Sequence, residues 1–98
     1  MDKSTVISFL QDHKTEFTTK FGIAKIALFG SFARDEATDE SDIDLLVTYI
    51  SAPGDVYTNK RDFKQFLHEY FHRNIDVANE KYLKPFAKEA ILKDAIYV

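Results

Sequence analysis

The sequence predicts a fold of the α/β or α+β class, in which helices pack on a small mixed β-sheet. Segments with apolar residues at helical spacing alternate with short continuous apolar runs, which indicates helices and strands in turn. Two of the predicted strands, Ala24 to Phe29 and Ile43 to Tyr49, are close in sequence. Because close strands favour antiparallel pairing, the sheet is expected to be mixed.

The first half of the chain is predicted to begin with a helix from Ser4 to Thr18. Its buried face is marked by Val6, Phe9, Leu10, His13 and Phe17. Gly22 is the type of residue that follows a helix, and the first strand comes directly after it. Ser31 is then the predicted N-cap of a short helix over residues 32–36, before the second strand.

The second half contains two further predicted helices and two strands. One helix begins at Asn59 and has a single apolar face, formed by Phe63, Phe66, Leu67, Tyr70 and Phe71. A third strand is expected over residues 74–78. Pro85 fits the first turn of a last helix that reaches about Lys93, and a short strand over residues 95–98 closes the chain.

Length and composition point to one domain spanning residues 1–98. The 98 residues are 45% hydrophobic, which is sufficient for a modest core. Neither a signal peptide nor an apolar run long enough to cross a bilayer is expected, so no membrane partner is predicted. The absence of cysteine fits a cytoplasmic location. A net charge of −3 argues against direct, non-specific binding to nucleic acid.

The candidate site combines a Gly-Ser turn with a pair of carboxylates. Gly30 and Ser31 follow the first strand, and Asp42 and Asp44 lie at the mouth of the second. Residues two apart in a strand share a face, so the two carboxylates repel each other unless a cation lies between them. Oxygen ligands suit Mg²⁺, and free N–H groups at a helix start suit a triphosphate. The pattern predicts metal-dependent nucleotidyl transfer; the alternative is a solvated acidic turn.

Two further residues are candidates for the same site. Asp76 is an acid within an otherwise apolar strand, where an unpaired charge is costly, so it is a candidate third carboxylate. The alternative is an edge-strand aspartate that faces water. Arg34 lies one turn into the short helix and could bind a phosphate. It could equally form a salt bridge with Asp35, Glu36 or Asp39.

These residues carry a family resemblance. Gly30-Ser31, ten residues and then Asp42-Ile43-Asp44 resembles the signature of the DNA polymerase β-like nucleotidyltransferases. The short chain and its closing segment, residues 91–98, are similar to the minimal nucleotidyltransferases (MNT), the antitoxins of HEPN/MNT toxin–antitoxin pairs. The resemblance runs from about Ile23 to the end of the chain. The sequence departs from the family pattern at one position, because Asp35 stands where the family usually has glycine.

The resemblance implies a chemistry and a partner. Asp42, Asp44 and Asp76 would be the catalytic residues and the ligands of two Mg²⁺ ions, with Asp76 also able to take a proton from the attacking hydroxyl. Gly30, Ser31 and Arg34 would bind the nucleotide. The expected reaction moves AMP from ATP to a tyrosine of a HEPN ribonuclease toxin, which would be silenced.

Three other interpretations remain open at this point. The enzyme could modify a small molecule, such as an antibiotic or a sugar, although that would usually need an added helical domain. It could also be an idle antitoxin that neutralises its toxin by binding alone. Finally, His68-Glu69-Tyr70-Phe71-His72 matches the zinc-protease pattern H-E-x-x-H. Helical geometry places both histidines beyond the apolar face, so solvated histidines are expected.

Overall fold

A computed structural model describes all 98 residues. The elements in chain order are α1 (Lys3–Asp12), α2 (Lys14–Phe21), β1 (Ile23–Phe29), α3 (Gly30–Ala33), β2 (Ile43–Tyr49), α4 (Val56–Phe71), β3 (Ile75–Asn79), a 3₁₀ turn (Glu80–Tyr82), α5 (Pro85–Asp94) and β4 (Ile96–Tyr97). None of the helices is both long enough and apolar enough to cross a membrane.

The four strands form one sheet in the order β3-β2-β1-β4. β1 pairs with β2 and with β4 in antiparallel fashion, whereas β2 and β3 are parallel. The predicted mixed sheet and the antiparallel β1–β2 pair are therefore confirmed. The connection from β2 to β3 contains α4, as expected for a crossover between parallel strands.

One face of the sheet carries the hydrophobic core. Seventeen buried apolar residues form a continuous cluster, drawn from α1, α2, α3, α4 and the strands. Its centre is aromatic: Phe17 of α2 meets Phe63 of α4 edge-on with ring centroids 5.0 Å apart, and Phe9 of α1 meets Phe71 in the same way at 5.0 Å. The helices are therefore held to one another largely by ring packing, and they cover the aliphatic side chains of the strands.

The prediction of one helix over residues 4–18 is wrong, because the helix divides at His13. The imidazole Nδ1 donates to the Phe9 carbonyl oxygen at 2.9 Å, and the ring stacks on the Phe9 ring at 4.1 Å. The carbonyl is thus shared between this ring and the His13 N–H, and His13 leaves helical geometry at φ −107° and ψ 7°. A second helix then continues to Phe21.

Other boundaries differ from the predictions by a few residues. α3 begins at Gly30, so Ser31 lies inside the helical turn and is not its N-cap. α4 begins at Val56 instead of Asn59, because Asp55 caps it by accepting a 3.2 Å hydrogen bond from the Thr58 N–H. β3 lies one residue later than expected, and β4 is limited to two residues. The bounds of β2 and the start of α5 are as predicted.

Candidate active site

The site is built where β1 ends against the start of β2. Phe29, the last residue of β1, is paired with Asp44, so the next residue of the chain, Gly30, begins its turn directly beside the Asp44 carboxylate. Gly30 has φ +74°, and a Cβ added there would overlap the carboxylate oxygen. Glycine is therefore required twice, for the left-handed backbone and for the close approach.

Asp76 is brought to the same site by the parallel pairing of β2 and β3. The register sets Asp44 opposite Asp76, between the buried pairs Ile43–Ile75 and Leu45–Val77. Because side chains alternate along a strand, both carboxylates project from the face opposite the core. Asp44 is partly buried and Asp76 is exposed.

The electrostatics of this arrangement are unfavourable in the absence of a cation. Burial raises the pKa of Asp44 from 3.8 to about 6, with further contributions from the charges of Asp76 and then Asp42. A pKa raised in this way shows that the negative charge of the Asp44 carboxylate lacks compensation from nearby groups. The site therefore favours a positive ligand.

The carboxylate oxygens of the site suit a hard cation, although the three carboxylates do not surround a single point. Three carboxylates with room for water and phosphate oxygens match the ligand preference of Mg²⁺. No group of three or more histidine, aspartate or glutamate side chains stands in a metal-binding arrangement in this structure. The expectation that Asp42, Asp44 and Asp76 ligate Mg²⁺ therefore stays a prediction.

The Gly-Ser turn presents polar groups beside the carboxylates. The N–H groups at the start of α3 have no partner within a helix of this kind, because there is no preceding turn to supply one. Ser31 is partly exposed, and its hydroxyl takes part in none of the hydrogen bonds between protein side chains. These donors are available to an anionic oxygen, and the nucleotide-binding role of Gly30 and Ser31 stays a prediction.

Arg34 lies close to the site but is held by acidic residues. Its guanidinium contacts Glu36 at 2.7 Å and Asp94, near the end of α5, at 2.9 Å. The salt-bridge alternative is thus the arrangement observed, with Glu36 as an anticipated partner. Asp94 is 60 residues away in sequence, and no local pattern indicates it. The phosphate-binding role of Arg34 remains a prediction.

The departure from the family pattern at Asp35 has a structural explanation. Asp35 has φ +59°, a left-handed conformation that glycine adopts freely and aspartate tolerates better than most residues. Its carboxylate forms an ion pair of 2.9 Å with Lys3 at the start of α1. The turn shape is therefore kept without glycine, and the added charge is partly balanced by α1.

The two histidines of the H-E-x-x-H pattern are solvated, as predicted. Both are exposed, and His72 lies past the end of α4 in a left-handed conformation with φ 55°. His68 donates through Nδ1 to the Arg73 carbonyl oxygen at 2.8 Å. This hydrogen bond and the end of the helix explain where the two side chains lie.

The fold and the site together define a nucleotidyltransferase. The sequence family described as a nucleotidyltransferase domain matches residues 10–98. The chain belongs to this family, so the predicted enzyme class is confirmed.

Curated relatives match nearly the whole chain. A candidate protein adenylyltransferase of Methanocaldococcus jannaschii is 33% identical over 97% of this chain and 96% of its own length. The protein adenylyltransferase MntA of Thermococcus cleftensis is 30% identical over 93% of this chain and 90% of its own length.

Solved structures confirm the fold. A candidate minimal nucleotidyltransferase superposes with a TM-score of 0.80 at 28% identity, covering 98% of this chain and 95% of that one. A toxin–antitoxin complex solved with AMP-PNP contains a chain that superposes with a TM-score of 0.68 at 16% identity. That similarity covers 99% of this chain and 72% of the other, and at this identity it concerns the fold alone.

Proposed function

We propose that this protein transfers AMP from ATP to a hydroxyl group on a partner protein in the cytoplasm, and that the acceptor is a tyrosine of a HEPN ribonuclease toxin. The observation that carries the chemistry is the contact between the Gly30 backbone and the Asp44 carboxylate, with Asp76 in register beside it. This contact sets anion-binding donors next to acidic groups, as a nucleotide and its counter-ions require.

Each residue has a distinct task in this proposal. The N–H groups of the Gly30-Ser31 turn and the Ser31 hydroxyl hold phosphate oxygens. Asp42 and Asp44, with Asp76, would hold Mg²⁺, which supplies charge neutralisation on the phosphates and on the attacking oxygen when it is bound. Asp76 is the most exposed of the three carboxylates, so it can accept the proton of an incoming hydroxyl.

The names of the relatives support a protein acceptor. Curated relatives with about one third identity are protein adenylyltransferases, and one of them is named MntA. MntA is also the name of the partner of HpeT in a solved toxin–antitoxin complex of the same fold. A toxin partner is therefore the natural acceptor to test first. A small-molecule acceptor has no comparable support.

One observation favours a second candidate, an antitoxin that acts by binding alone. Arg34 is engaged by Glu36 and Asp94, so it would have to exchange partners before it could hold a phosphate. An antitoxin without catalysis would not need that exchange.

The test is transfer of label from α-labelled ATP to the toxin that co-purifies with the protein, in the presence of Mg²⁺. The site variant D42N/D44N removes two negative charges from the candidate site. The matched control D39N/E40Q removes the same charge from exposed positions of the same loop.

Label that reaches a tyrosine of the toxin with the wild type and the control, but not with D42N/D44N, supports catalysis. A stable complex that remains unlabelled with every nucleotide would contradict it and favour binding alone.

A further inference from the structure

A groove on the outer side of α4 lies apart from the candidate active site. It has a volume of about 570 Å³ and is bounded by the exposed side of α4 and by the start of β3. Its main features are the basic side chains Lys60, Arg61, Lys64 and His68, together with Tyr57 and Ile75. No aspartate or glutamate lines it, although the protein as a whole has a net charge of −3. The groove is therefore a local concentration of positive charge.

Much of this charge is not neutralised within the protein. Lys60 and Lys64 take part in none of the salt bridges, whereas Arg61 has one weak pair, at 3.5 Å, with its neighbour Asp62. Both lysines line the groove and are only partly exposed, as is usual for side chains whose aliphatic stems pack on the protein while the ammonium groups stay in water. Tyr57 is 78% exposed and provides an apolar surface beside them.

The groove runs beside an unpaired strand edge. β3 is the outermost strand of the sheet and pairs only with β2. The backbone of residues 75–78 makes hydrogen bonds only with β2, within the sheet. An open edge of this kind can accept a further strand through its N–H and C=O groups.

We propose that the β3 edge and the basic groove together form a docking site for an extended, acidic segment of a partner protein. The segment adds to the sheet beside β3, and its acidic side chains on one face meet Lys60, Arg61 and Lys64. The opposite face of the added strand borders Asp76, so the segment passes along the rim of the candidate active site. The docking site itself requires no catalysis.

Charge decides among the possible occupants. A second copy of this chain would bring its own basic groove to the same edge, and like charges would repel. A nucleic acid could neutralise the basic groups, but its backbone cannot continue a β-sheet. An acidic peptide satisfies both the charge and the strand edge, so it is the occupant that both features favour.

The test uses a fluorescein-labelled peptide that alternates valine and glutamate, with a valine–lysine peptide for comparison, followed by fluorescence anisotropy at low salt. The groove variant is K60E/K64E. Its matched control is K84E/K88E, which makes the same change of charge at exposed positions near the start of α5. Folding of each variant is checked by its melting temperature.

The acidic peptide is expected to bind the wild type and K84E/K88E, and to bind K60E/K64E at least about tenfold more weakly. N-methylation of alternate peptide bonds, which blocks strand addition but keeps the charge, should abolish binding. The D42N/D44N variant should still bind, so a failure of the proposed catalysis leaves this result unaffected.

Equal binding of the N-methylated peptide, or equal binding by K60E/K64E, would overturn the proposal. It would also be overturned if an oligouridylate bound in a groove-dependent way and the acidic peptide did not bind.

Discussion

The two faces of the sheet are built in contrasting ways. The face covered by α1, α2 and α4 is closed by a continuous cluster of buried apolar side chains with aromatic rings at its centre. The opposite face presents Asp44 and Asp76 and is only partly covered by α5, a helix without a fully buried residue. Stability is concentrated on one face, and the polar groups that can bind a ligand are concentrated on the other.

This contrast teaches that stability and chemistry can be altered separately. Substitutions on the helix-covered face should change the free energy of unfolding and leave the chemistry of folded molecules intact. Substitutions on the site face should do the reverse, and some should even stabilise the protein, because charge repulsion at a binding site is a cost to folding.

The largest effect on stability is expected from Phe17→Ala. Phe17 is fully buried between α4 and the other aromatic rings, so its removal leaves a cavity and should lower the free energy of unfolding by about 3–5 kcal/mol. Chemical denaturation measures the loss. Phe86→Ala is the matched control. Phe86 is 87% exposed, so its removal should change the free energy of unfolding by less than about 0.5 kcal/mol.

Normal transfer activity per folded molecule in Phe17→Ala would support the separation of the two faces. Loss of that activity in a variant shown to be folded would contradict it.

Beside the loss of transfer expected for D42N/D44N, the largest effect on activity is expected from Gly30→Ala. The new Cβ would displace the Asp44 carboxylate, and displacement of about 1 Å in a catalytic group can reduce the rate about 100-fold. Gly54→Ala is the control, since Gly54 has a similar φ of +75° but open space around its Cα. Both variants should lose about 1–2 kcal/mol of stability from backbone strain. Gly30→Ala should lose more than that, because its Cβ overlaps the carboxylate, and only Gly30→Ala should lose activity.

Equal activity in the two alanine variants would show that the contact between Gly30 and Asp44 has no catalytic importance.

The next effect is smaller and opposite in sign, an increase in stability from Asp44→Asn. The pKa of Asp44 is about 6 in the folded protein against an ordinary value of 3.8. The folded state therefore binds the Asp44 proton more tightly than the unfolded state does. The stability that this protonation contributes is fully present below pH 3.8 and is lost as the pH rises through about 6. Above that pH, Asp44→Asn should be more stable than the wild type by about 1 kcal/mol, because solvent screens a partly exposed carboxylate.

Urea denaturation at a series of pH values in EDTA measures this difference. The gain should vanish below about pH 4, where the wild-type carboxyl is protonated. Asp39→Asn, at an exposed position, should show no comparable gain. A gain that does not depend on pH would contradict the electrostatic explanation.

The smallest effect is expected at Asp35. Glycine relieves the left-handed strain but loses the ion pair with Lys3, and it increases the freedom of the unfolded chain, so Asp35→Gly should be nearly neutral. Asp35→Ala keeps the strain and loses the ion pair, and should cost about 1 kcal/mol. Thermal denaturation of the pair measures the difference; an alanine variant as stable as the glycine variant would contradict a role for backbone strain.

The sequence was sufficient to predict the mixed sheet and the bounds of β2, because apolar runs and their order determine them. It was not sufficient to predict the break at His13. Phe9, His13 and Phe17 continue a helical spacing without interruption, and the break depends on the His13 ring reaching the Phe9 carbonyl. The start of α4 could have been found, since Asp55 and Thr58 have the spacing of an N-cap and its donor.

For the site, the sequence indicated which residues to consider but not how they meet. The spacing singled out Gly30 and Asp44, whereas their contact depends on the pairing of Phe29 with Asp44. The link from Arg34 to Asp94 depends on where the last helix crosses the sheet, which no local pattern encodes.

The most direct test of the central claim is the melting temperature of the wild type and Asp44→Asn, each with and without Mg²⁺ and ATP. Without ligands and above about pH 6, where the wild-type carboxylate is charged, Asp44→Asn should melt at the higher temperature. With ligands the wild type should rise by several degrees, because binding stabilises the folded state alone, and Asp44→Asn should not rise. An equal rise in both proteins, or a lower ligand-free melting temperature for Asp44→Asn, would contradict a site whose carboxylates are held together for a cation and a nucleotide.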